Sequence, residues 1–251
     1  MAATITALYR YPVKGFSAEA LDAVDLVAGE TVPFDRAFAV ENGASGFDPA
    51  NPVHMPKIRF LCLMKNEGLA ALTTRFDEAT STFTVRDGER VVAEGRLDTV
   101  EGRAAIEAFL AERFAGALRG APKILRSPGH SFSDVSKKVL HVVNLATLRE
   151  MESHLGTAIS PIRFRPNVVV DGLEARAELD WPGREVRLGG IRFEVIKRTE
   201  RCAATNVDPA TGARDLQIPR FLMGFLGHTD CGVYLRSLDD GRLAVGDAVS
   251  V

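Results

Sequence analysis

Apolar and polar residues alternate along much of the N-terminal part of the chain, which is the pattern of half-buried β-strands. Two alternating runs flank Asp87-Gly88, and glycine tolerates the positive φ that a tight hairpin turn requires. We therefore predict a hairpin over residues 81–94. Earlier strands are predicted at residues 4–11, 21–27 and 34–40, the last with Arg36 at its start.

The apolar residues then recur at steps of three and four, which predicts an amphipathic helix capped by Asp98 or Thr99. Its apolar face is formed by Ile106, Phe109, Leu110 and Phe114. A second helix is predicted over residues 145–155, because Asn144 can cap its start and Gly156 can end it. Residues 116–129 are interpreted as the connection between two halves of the chain.

Short strands and tight turns dominate the remainder. Hairpins are predicted at residues 186–195 and 229–251, and a short strand at residues 139–143. Many short strands with few helices indicate a barrel-like architecture. The predicted fold class is mainly β with a few helices (α+β), in two closely packed β-barrel-like parts that cover residues 1–118 and 119–251.

The 251 residues are 46% hydrophobic, which is ample for a core. Thirty-one basic and 33 acidic residues give a net charge of −2, which argues against sequence-independent binding to nucleic acid. No apolar run approaches the roughly 20 residues that span a bilayer. The first residues also lack the charged and apolar segments of a signal peptide. We therefore expect a cytoplasmic protein that binds neither nucleic acid nor membrane.

The three cysteines, Cys62, Cys202 and Cys231, show no Cys-x-x-Cys spacing. This argues against a disulfide framework, a cysteine-based zinc site and an all-cysteine iron–sulfur cluster. Cys62 lies in an apolar run and is interpreted as core. Cys202 is different, because it follows the alternating strand 191–195 and precedes a loop with Asp-Pro and Thr-Gly turns.

Three cations lie within five residues of Cys202, namely Lys197, Arg198 and Arg201. Nearby positive charge favours the thiolate, which attacks electrophiles or binds metals. The alternative is that Cys202 is a small buried apolar residue. A catalytic pair with His141 or His228 is a further alternative, since catalytic partners need to be adjacent only in space.

Two cations near the N-terminus also allow two interpretations. Lys14, in the loop after the first strand, is either a solvated turn residue or an anion ligand. Arg36 either forms an ion pair with Asp35 or another carboxylate, or contacts a phosphate through its planar fork of donors. The usual signatures of phosphate-binding loops, zinc proteases and serine hydrolases are absent from the sequence.

A set of short motifs, taken in chain order, resembles the MOSC-domain family. The motifs are Tyr11-Pro12-Val13-Lys14-Gly15, Asp35-Arg36-Ala37-Phe38, Phe164-Arg165-Pro166-Asn167, Arg201-Cys202, the run from Thr205 to Gly212, Gly232-Val233-Tyr234 and Val245-Gly246-Asp247. The resemblance covers nearly the whole chain, as an N-terminal MOSC β-barrel domain followed by a MOSC domain. Members of this family include amidoxime-reducing components and the C-terminal part of molybdenum cofactor sulfurase.

The resemblance implies a molybdenum cofactor, in which a pterin dithiolene and a protein cysteine hold the metal. Cys202 would then be both the metal ligand and the catalytic residue. The residues that would bind the cofactor are Lys14, Arg36, Asp134, Ser136, Arg165, Asn167, Glu200 and Arg201. The chain departs from the family pattern at Gly15, where the reductases often have serine, and at Glu200, where a small residue is common.

The expected function is reduction of a small N-hydroxylated or other N–O substrate. Because the chain lacks a cysteine-rich ferredoxin module, electrons would come from an external flavin or iron–sulfur partner. The alternative is a carrier of sulfurated cofactor without turnover of its own. A cysteine hydrolase is disfavoured, since neither His141 nor His228 lies in a recognisable catalytic motif.

Overall fold

The computed structural model describes residues 2–251, which form mostly strands together with three α-helices. The helices are α1 (Val100–Arg113), α2 (Leu145–Leu155) and α3 (Ile218–Leu226). The strands are β1 (Thr4–Arg10), β2 (Glu19–Leu21), β3 (Ala23–Leu26), β4 (Phe38–Asn42), β5 (Leu72–Asp77), β6 (Thr82–Asp87), β7 (Arg90–Arg96), β8 (Pro122–Arg126), β9 (Leu140–Asn144), β10 (Val168–Asp171), β11 (Glu185–Leu188), β12 (Ile191–Glu200), β13 (Asp230–Ser237), β14 (Gly241–Ala244) and β15 (Val249–Ser250). The predicted mainly β fold class is confirmed.

One large sheet joins the two ends of the chain. Its eight strands lie in the order β15-β11-β12-β13-β9-β10-β1-β2 and form a curled half-barrel. Strands β9 and β10 are parallel, because α2 connects them, and the other neighbours are antiparallel. The apolar residues inside the curl form one core, around Phe193, Leu235 and Trp181. The N-terminal strand β1 therefore belongs to the sheet of the C-terminal half.

The N-terminal half has a second core between two small sheets and α1. The sheet β5-β6-β7 and the pair β4-β8 contribute buried side chains such as Phe38, Phe76 and Phe83. From α1, Ile106 and Leu110 complete this core on the face that the apolar spacing predicted. Thr99 caps α1 by accepting a hydrogen bond from the backbone N–H of Gly102 at 3.1 Å.

Local signals predicted several elements correctly. The hairpin of β6 and β7 turns at Gly88, which has φ +58°. The side chain of Asn144 caps α2, and Gly156 ends it with φ +68°. Helix α3 was missed, because Gln217 at its start offers no capping side chain and its sequence is almost continuously apolar.

Three predictions of strands or connections were wrong. The strand expected at residues 21–27 is split at Asp22, so that β2 pairs with β1 while β3 pairs with β14. The hairpin expected at residues 229–251 does not form, because β14 leaves β13 for β3 and β15 pairs with β11. The connection expected at residues 116–129 contains β8, which pairs with β4.

The strand expected at residues 34–40 begins only at Phe38, and Arg36 lies in a turn with φ +51°. Contacts with a distant residue hold this turn. The backbone N–H of Tyr11 donates to the carboxylate of Asp35 at 2.9 Å, and its carbonyl accepts from the N–H of Arg36 at 2.7 Å. Tyr11 thus sets the position of Arg36 in a way that the local pattern does not reveal.

Candidate functional site

A cavity of about 240 Å³ lies where loops of the two halves meet. Loops of the N-terminal half contribute Lys14, Arg36 and Lys57 to its lining, and loops that precede or follow strands of the large sheet contribute Asp134, Arg165 and Cys202. Its volume lies just below the range of about 300–1,000 Å³ that is usual for small-molecule sites. Three cations that are far apart in sequence, Lys14, Arg36 and Arg165, therefore line one cavity.

Cys202 lies at the end of β12, where the chain turns into a short 3-10 turn (Ala203–Asn206). The hydroxyl of Thr205 donates to the carbonyl of Cys202 at 2.9 Å, and the backbone N–H of Thr205 donates to the same oxygen at 3.0 Å. These bonds fix the backbone that presents the sulfur, which is partly accessible from the cavity.

The Asn-Val-Asp-Pro motif after Cys202 is used to build its loop. The carboxylate of Asp208 accepts from the backbone N–H groups of Ala210 and Thr211, both at 2.9 Å. Arg163 also stabilises the loop. One terminal nitrogen of its guanidinium donates to the carboxylate of Asp208 at 3.0 Å, and the two terminal nitrogens donate to the carboxylate of Asp215 at 2.8 and 2.6 Å. This motif therefore acts on Cys202 indirectly, by stabilising the loop that follows it.

Lys57 is the polar side chain that contacts the sulfur of Cys202, with its Nζ at 3.3 Å from Sγ. The same Nζ donates to Asp134 at 3.1 Å. Partial burial favours the neutral amine, but Asp134 and Cys202 outweigh it and raise the pKa of Lys57. Lys57 was not predicted from the sequence. It follows a long loop and reaches Asp134 and Cys202 only because the two halves pack together.

The cations that are close to Cys202 in sequence divide between two sides of β12. Lys197 and Arg201 line the cavity. Arg198 does not, because it donates to the carbonyl of Leu179 at 2.6 Å and lies near Asp180 and Asp230. The prediction of three cations around the sulfur was therefore wrong for Arg198, since neighbouring residues of a strand face opposite sides.

Lys14 is buried and bonded to two groups of the protein. Its Nζ donates to the carbonyl of Phe132 at 2.8 Å and forms an ion pair with Asp134. Burial lowers the pKa of Lys14 despite this pair. Asp134 therefore joins Lys14 to Lys57, and these two cations hold the pKa of the Asp134 carboxyl well below its usual value although desolvation opposes this.

Arg36 and Arg165 adopt left-handed backbone conformations, with φ +51° and +54°. Such strain in non-glycine residues is common at functional sites. Arg36 pairs with Asp35 and donates to the carbonyl of Arg165 at 3.0 Å. Arg165 donates to the carbonyl of Phe16 at 2.8 Å and has no carboxylate partner within residues 2–251. Burial lowers the pKa of Arg165 to about 10.

Four residues of the cavity lining carry buried polar atoms without a hydrogen-bond partner among residues 2–251. They are Arg163 at Nε, Arg165 at Nη2, Thr199 at Oγ1 and Arg201 at Nε. Three of these atoms belong to guanidinium groups, which can only donate. Unsatisfied buried donors are rare in native proteins, so this lining suits an anionic group that accepts hydrogen bonds. The donors fit the phosphate and polar pterin ring of a molybdenum cofactor.

The other predicted cofactor residues differ in placement. Asn167 lines the cavity, but its side chain bonds the backbone of Tyr9 at 3.1 Å and of His141 at 3.0 Å. Arg201 lines it and donates to the carbonyl of Phe164 at 2.7 Å. Glu200 lines it and is exposed, whereas Ser136 is exposed and lies outside the lining.

The histidines do not form a catalytic pair with Cys202 in this geometry. His141 lines the cavity, but its Nε2 lies 3.3 Å from a guanidinium nitrogen of Arg201. Burial, and then the charge of Arg201, hold the pKa of His141 well below its usual value. His228 lies outside the lining, where its Nδ1 accepts from the backbone of Asp230 at 3.1 Å.

The two remaining cysteines are buried. Cys62 lines the cavity, and burial raises the pKa of its thiol. Cys231 lies in the core beneath α2 and α3, where burial raises its pKa to about 12. Within residues 2–251 no three histidine, cysteine or acidic side chains cluster in an arrangement that could bind a metal ion.

Two family models together match almost the whole chain. The MOSC N-terminal beta barrel domain matches residues 2–115, and the MOSC domain matches residues 127–250. The chain therefore belongs to the MOSC-domain proteins. None of the helices in the described part of the chain is long and apolar enough to cross a membrane.

Related proteins include mitochondrial amidoxime-reducing component 1 of Mus musculus, which is 34% identical over 89 residues, or 36% of this chain and 25% of that protein. Molybdenum cofactor sulfurase of Homo sapiens is 23% identical over 85% of this chain and 28% of its own length. The matched segments thus span about a quarter of these relatives. The crystal structure of the YuaD protein from Bacillus subtilis aligns with 99% of this chain and 94% of its own, at 13% identity and a TM-score of 0.45.

Proposed function

We propose that the cavity binds a molybdenum cofactor and that Cys202 is the protein ligand of the metal. The observation that carries this proposal is the combination, in one lining, of an accessible sulfur and buried donors that lack a partner among residues 2–251. A soft thiolate suits a thiophilic metal, and the donors suit the anionic remainder of the cofactor. The relationship to amidoxime-reducing components and to molybdenum cofactor sulfurase supports the same conclusion.

Each group of residues would have its own task. Arg165 and Arg36 would bind the anionic part of the cofactor, while Asn167 would hold the backbone around them through its bonds to Tyr9 and His141. Lys57 would keep the sulfur of Cys202 oriented towards the cavity. When bound, the cofactor supplies two-electron oxygen-transfer chemistry.

We propose that the reaction is reduction of N-hydroxylated or other N–O compounds, with electrons from an external flavin or iron–sulfur protein. The amidoxime-reducing relatives support this reaction. The alternative, a carrier that delivers cofactor to another enzyme, is supported by the alignment with molybdenum cofactor sulfurase over most of the chain. The extent of the two domains, at residues 1–118 and 119–251, and a cytoplasmic location also stay predictions.

The first test concerns the metal. Cys202→Ser, purified from a molybdenum-replete host, should fold normally but contain little molybdenum by elemental analysis. Cys62→Ala is the matched control, because it removes the other thiol of the lining and should keep the metal. Full molybdenum occupancy in Cys202→Ser would refute the assignment.

The second test separates enzyme from carrier. Molybdenum-loaded protein is supplied with reduced viologen and with hydroxylamines, amidoximes and N- or S-oxides. Oxidation of the dye that depends on Cys202 supports the reductase. If no substrate is turned over while the protein transfers its cofactor to an apo-molybdoenzyme, the carrier is the correct function.

A further inference from the structure

Tyr11 lies behind the cavity and is the residue around which two of its cations are arranged. Its side chain is fully buried and does not contribute to the lining. The guanidinium carbon of Arg36 is 4.4 Å from the centre of the Tyr11 ring, and that of Arg165 is 4.1 Å from it. One aromatic ring therefore contacts two like charges that come from distant parts of the chain.

The neutral ring attracts both cations. Burial raises the pKa of the Tyr11 phenol, so the group is uncharged and interacts through its π face. Cation–π contacts of this kind are strongest where water is excluded, as it is here. The two guanidinium groups repel each other, and Arg165 has no carboxylate partner within residues 2–251. The ring therefore adds a direct contact to Arg165, which Asp35 and Asp134 attract without forming an ion pair with it.

The hydroxyl of Tyr11 takes no part in this arrangement. It is buried and has no hydrogen-bond partner in the part of the chain that the structure describes. Because Tyr11 does not line the cavity, its hydroxyl is also not placed to touch a ligand there. The ring and the hydroxyl can thus be separated by substitution.

We propose that Tyr11 is a positioning residue whose aromatic ring holds Arg36 and Arg165 side by side, so that together they bind a phosphate-like anion. The inference rests on the proposed function for the identity of the natural anion, the cofactor phosphate. The arrangement itself concerns only residues of this chain and can be tested with inorganic phosphate.

The test is calorimetric titration of the cofactor-free protein with inorganic phosphate, for the parent protein, Tyr11→Phe and Tyr11→Leu. Tyr11→Phe keeps the ring and should bind phosphate within about twofold of the parent. Tyr11→Leu keeps the backbone bonds to Asp35 and Arg36 but loses the ring, and should bind about tenfold or more weakly. Equal binding by Tyr11→Leu and the parent overturns the proposal, as does an equal loss in both variants or no phosphate binding by the parent.

A second series of variants tests the role of the ring even if Tyr11→Leu does not fold. Phenylalanine analogues with one and three ring fluorines are incorporated at position 11, because fluorine weakens the π face with little change of shape. Phosphate affinity should fall stepwise with fluorination, and a constant affinity refutes the role of the ring. If this series behaves as expected but the parent protein from molybdenum-replete cells contains no molybdopterin, the proposed function fails while the role of Tyr11 stands.

Discussion

Replacing Arg165 by methionine should stabilise the cofactor-free protein. Burial lowers the pKa of Arg165 from 12.5 to about 10. Each unit of pKa corresponds to about 1.4 kcal/mol, so burial of this charge opposes folding by about 3–4 kcal/mol at most. A base whose pKa is lowered by folding carries this penalty wherever it stays charged, which for Arg165 means at every pH below about 10.

Methionine removes the charge and keeps much of the apolar stem. The variant loses the bond to the carbonyl of Phe16, worth about 1 kcal/mol, and the contact with Tyr11. We therefore expect a net gain of about 1–2 kcal/mol in the free energy of unfolding. Urea denaturation at pH 7 with linear extrapolation measures it. Methionine must adopt the same φ of +54°, so backbone strain cancels in the comparison.

Arg163→Met is the matched control. Arg163 is two residues away and is more deeply buried, but it binds the carboxylates of Asp208 and Asp215. Its removal should destabilise the protein by about 1–3 kcal/mol, because two carboxylates lose their partner. With millimolar phosphate present, the parent should gain stability while Arg165→Met gains none. If Arg165→Met destabilises the cofactor-free protein as much as Arg163→Met, the charge of Arg165 is already satisfied by the protein and the reasoning is refuted.

Two further predictions concern the walls of the cavity. Because burial depresses the pKa of His141, the unfolded chain takes up a proton below pH 6.5 that the folded protein does not, and stability falls as the pH drops. His141→Gln lacks this proton uptake. Between pH 6 and 5 its free energy of unfolding should therefore fall by about 1.4 kcal/mol less per pH unit than that of the parent, as measured by urea denaturation. An equal pH dependence in the two proteins contradicts the prediction. Gly15→Ser should destabilise the protein by about 1–2 kcal/mol more than Gly29→Ser. Both glycines have positive φ, but a Cβ at Gly15 would lie 2.9 Å from the carbonyl oxygen of Leu61, whereas nothing lies within 4 Å at Gly29; equal losses would show that the clash relaxes.

The family pattern that places serine at position 15 meets a specific obstacle in this chain. The backbone at Gly15 has φ +87° and passes close to Leu61. A serine there would need both a different conformation and a displaced neighbouring loop. The departure at Gly15 is thus part of how the N-terminal half packs beside Lys14.

Elements whose signals are local were predictable from the sequence. The turn at Gly88 and the two caps of α2 depend on residues within a few positions of each other. The turn that carries Arg36 was not predictable in the same way, because the partner of Asp35 and Arg36 is the backbone of Tyr11. Lys57 was missed for the same reason, since its contacts to Asp134 and Cys202 join residues of different halves.

The family resemblance supplied what local patterns could not, because it assigned Arg165 and not Arg163 to the cofactor. By residue type alone, Arg163 and Arg165 are two equivalent arginines that are two positions apart. The structure separates them, because the 3-10 turn Pro161–Phe164 ends in a left-handed residue, Arg165. The two side chains therefore reach different partners.

This difference in partners decides which cation remains available to an anion. Lys14 and Lys57 share Asp134, Arg36 has Asp35, and Arg163 has two carboxylates. Arg165 and Arg201 form no ion pair with a carboxylate among residues 2–251, and each has a guanidinium nitrogen without a hydrogen-bond partner there. Burying a charge without compensation is unfavourable unless a ligand provides it. Arg165 and Arg201 are therefore the cations whose charge an incoming phosphate would compensate most, while the paired cations would mainly shape the cavity around them.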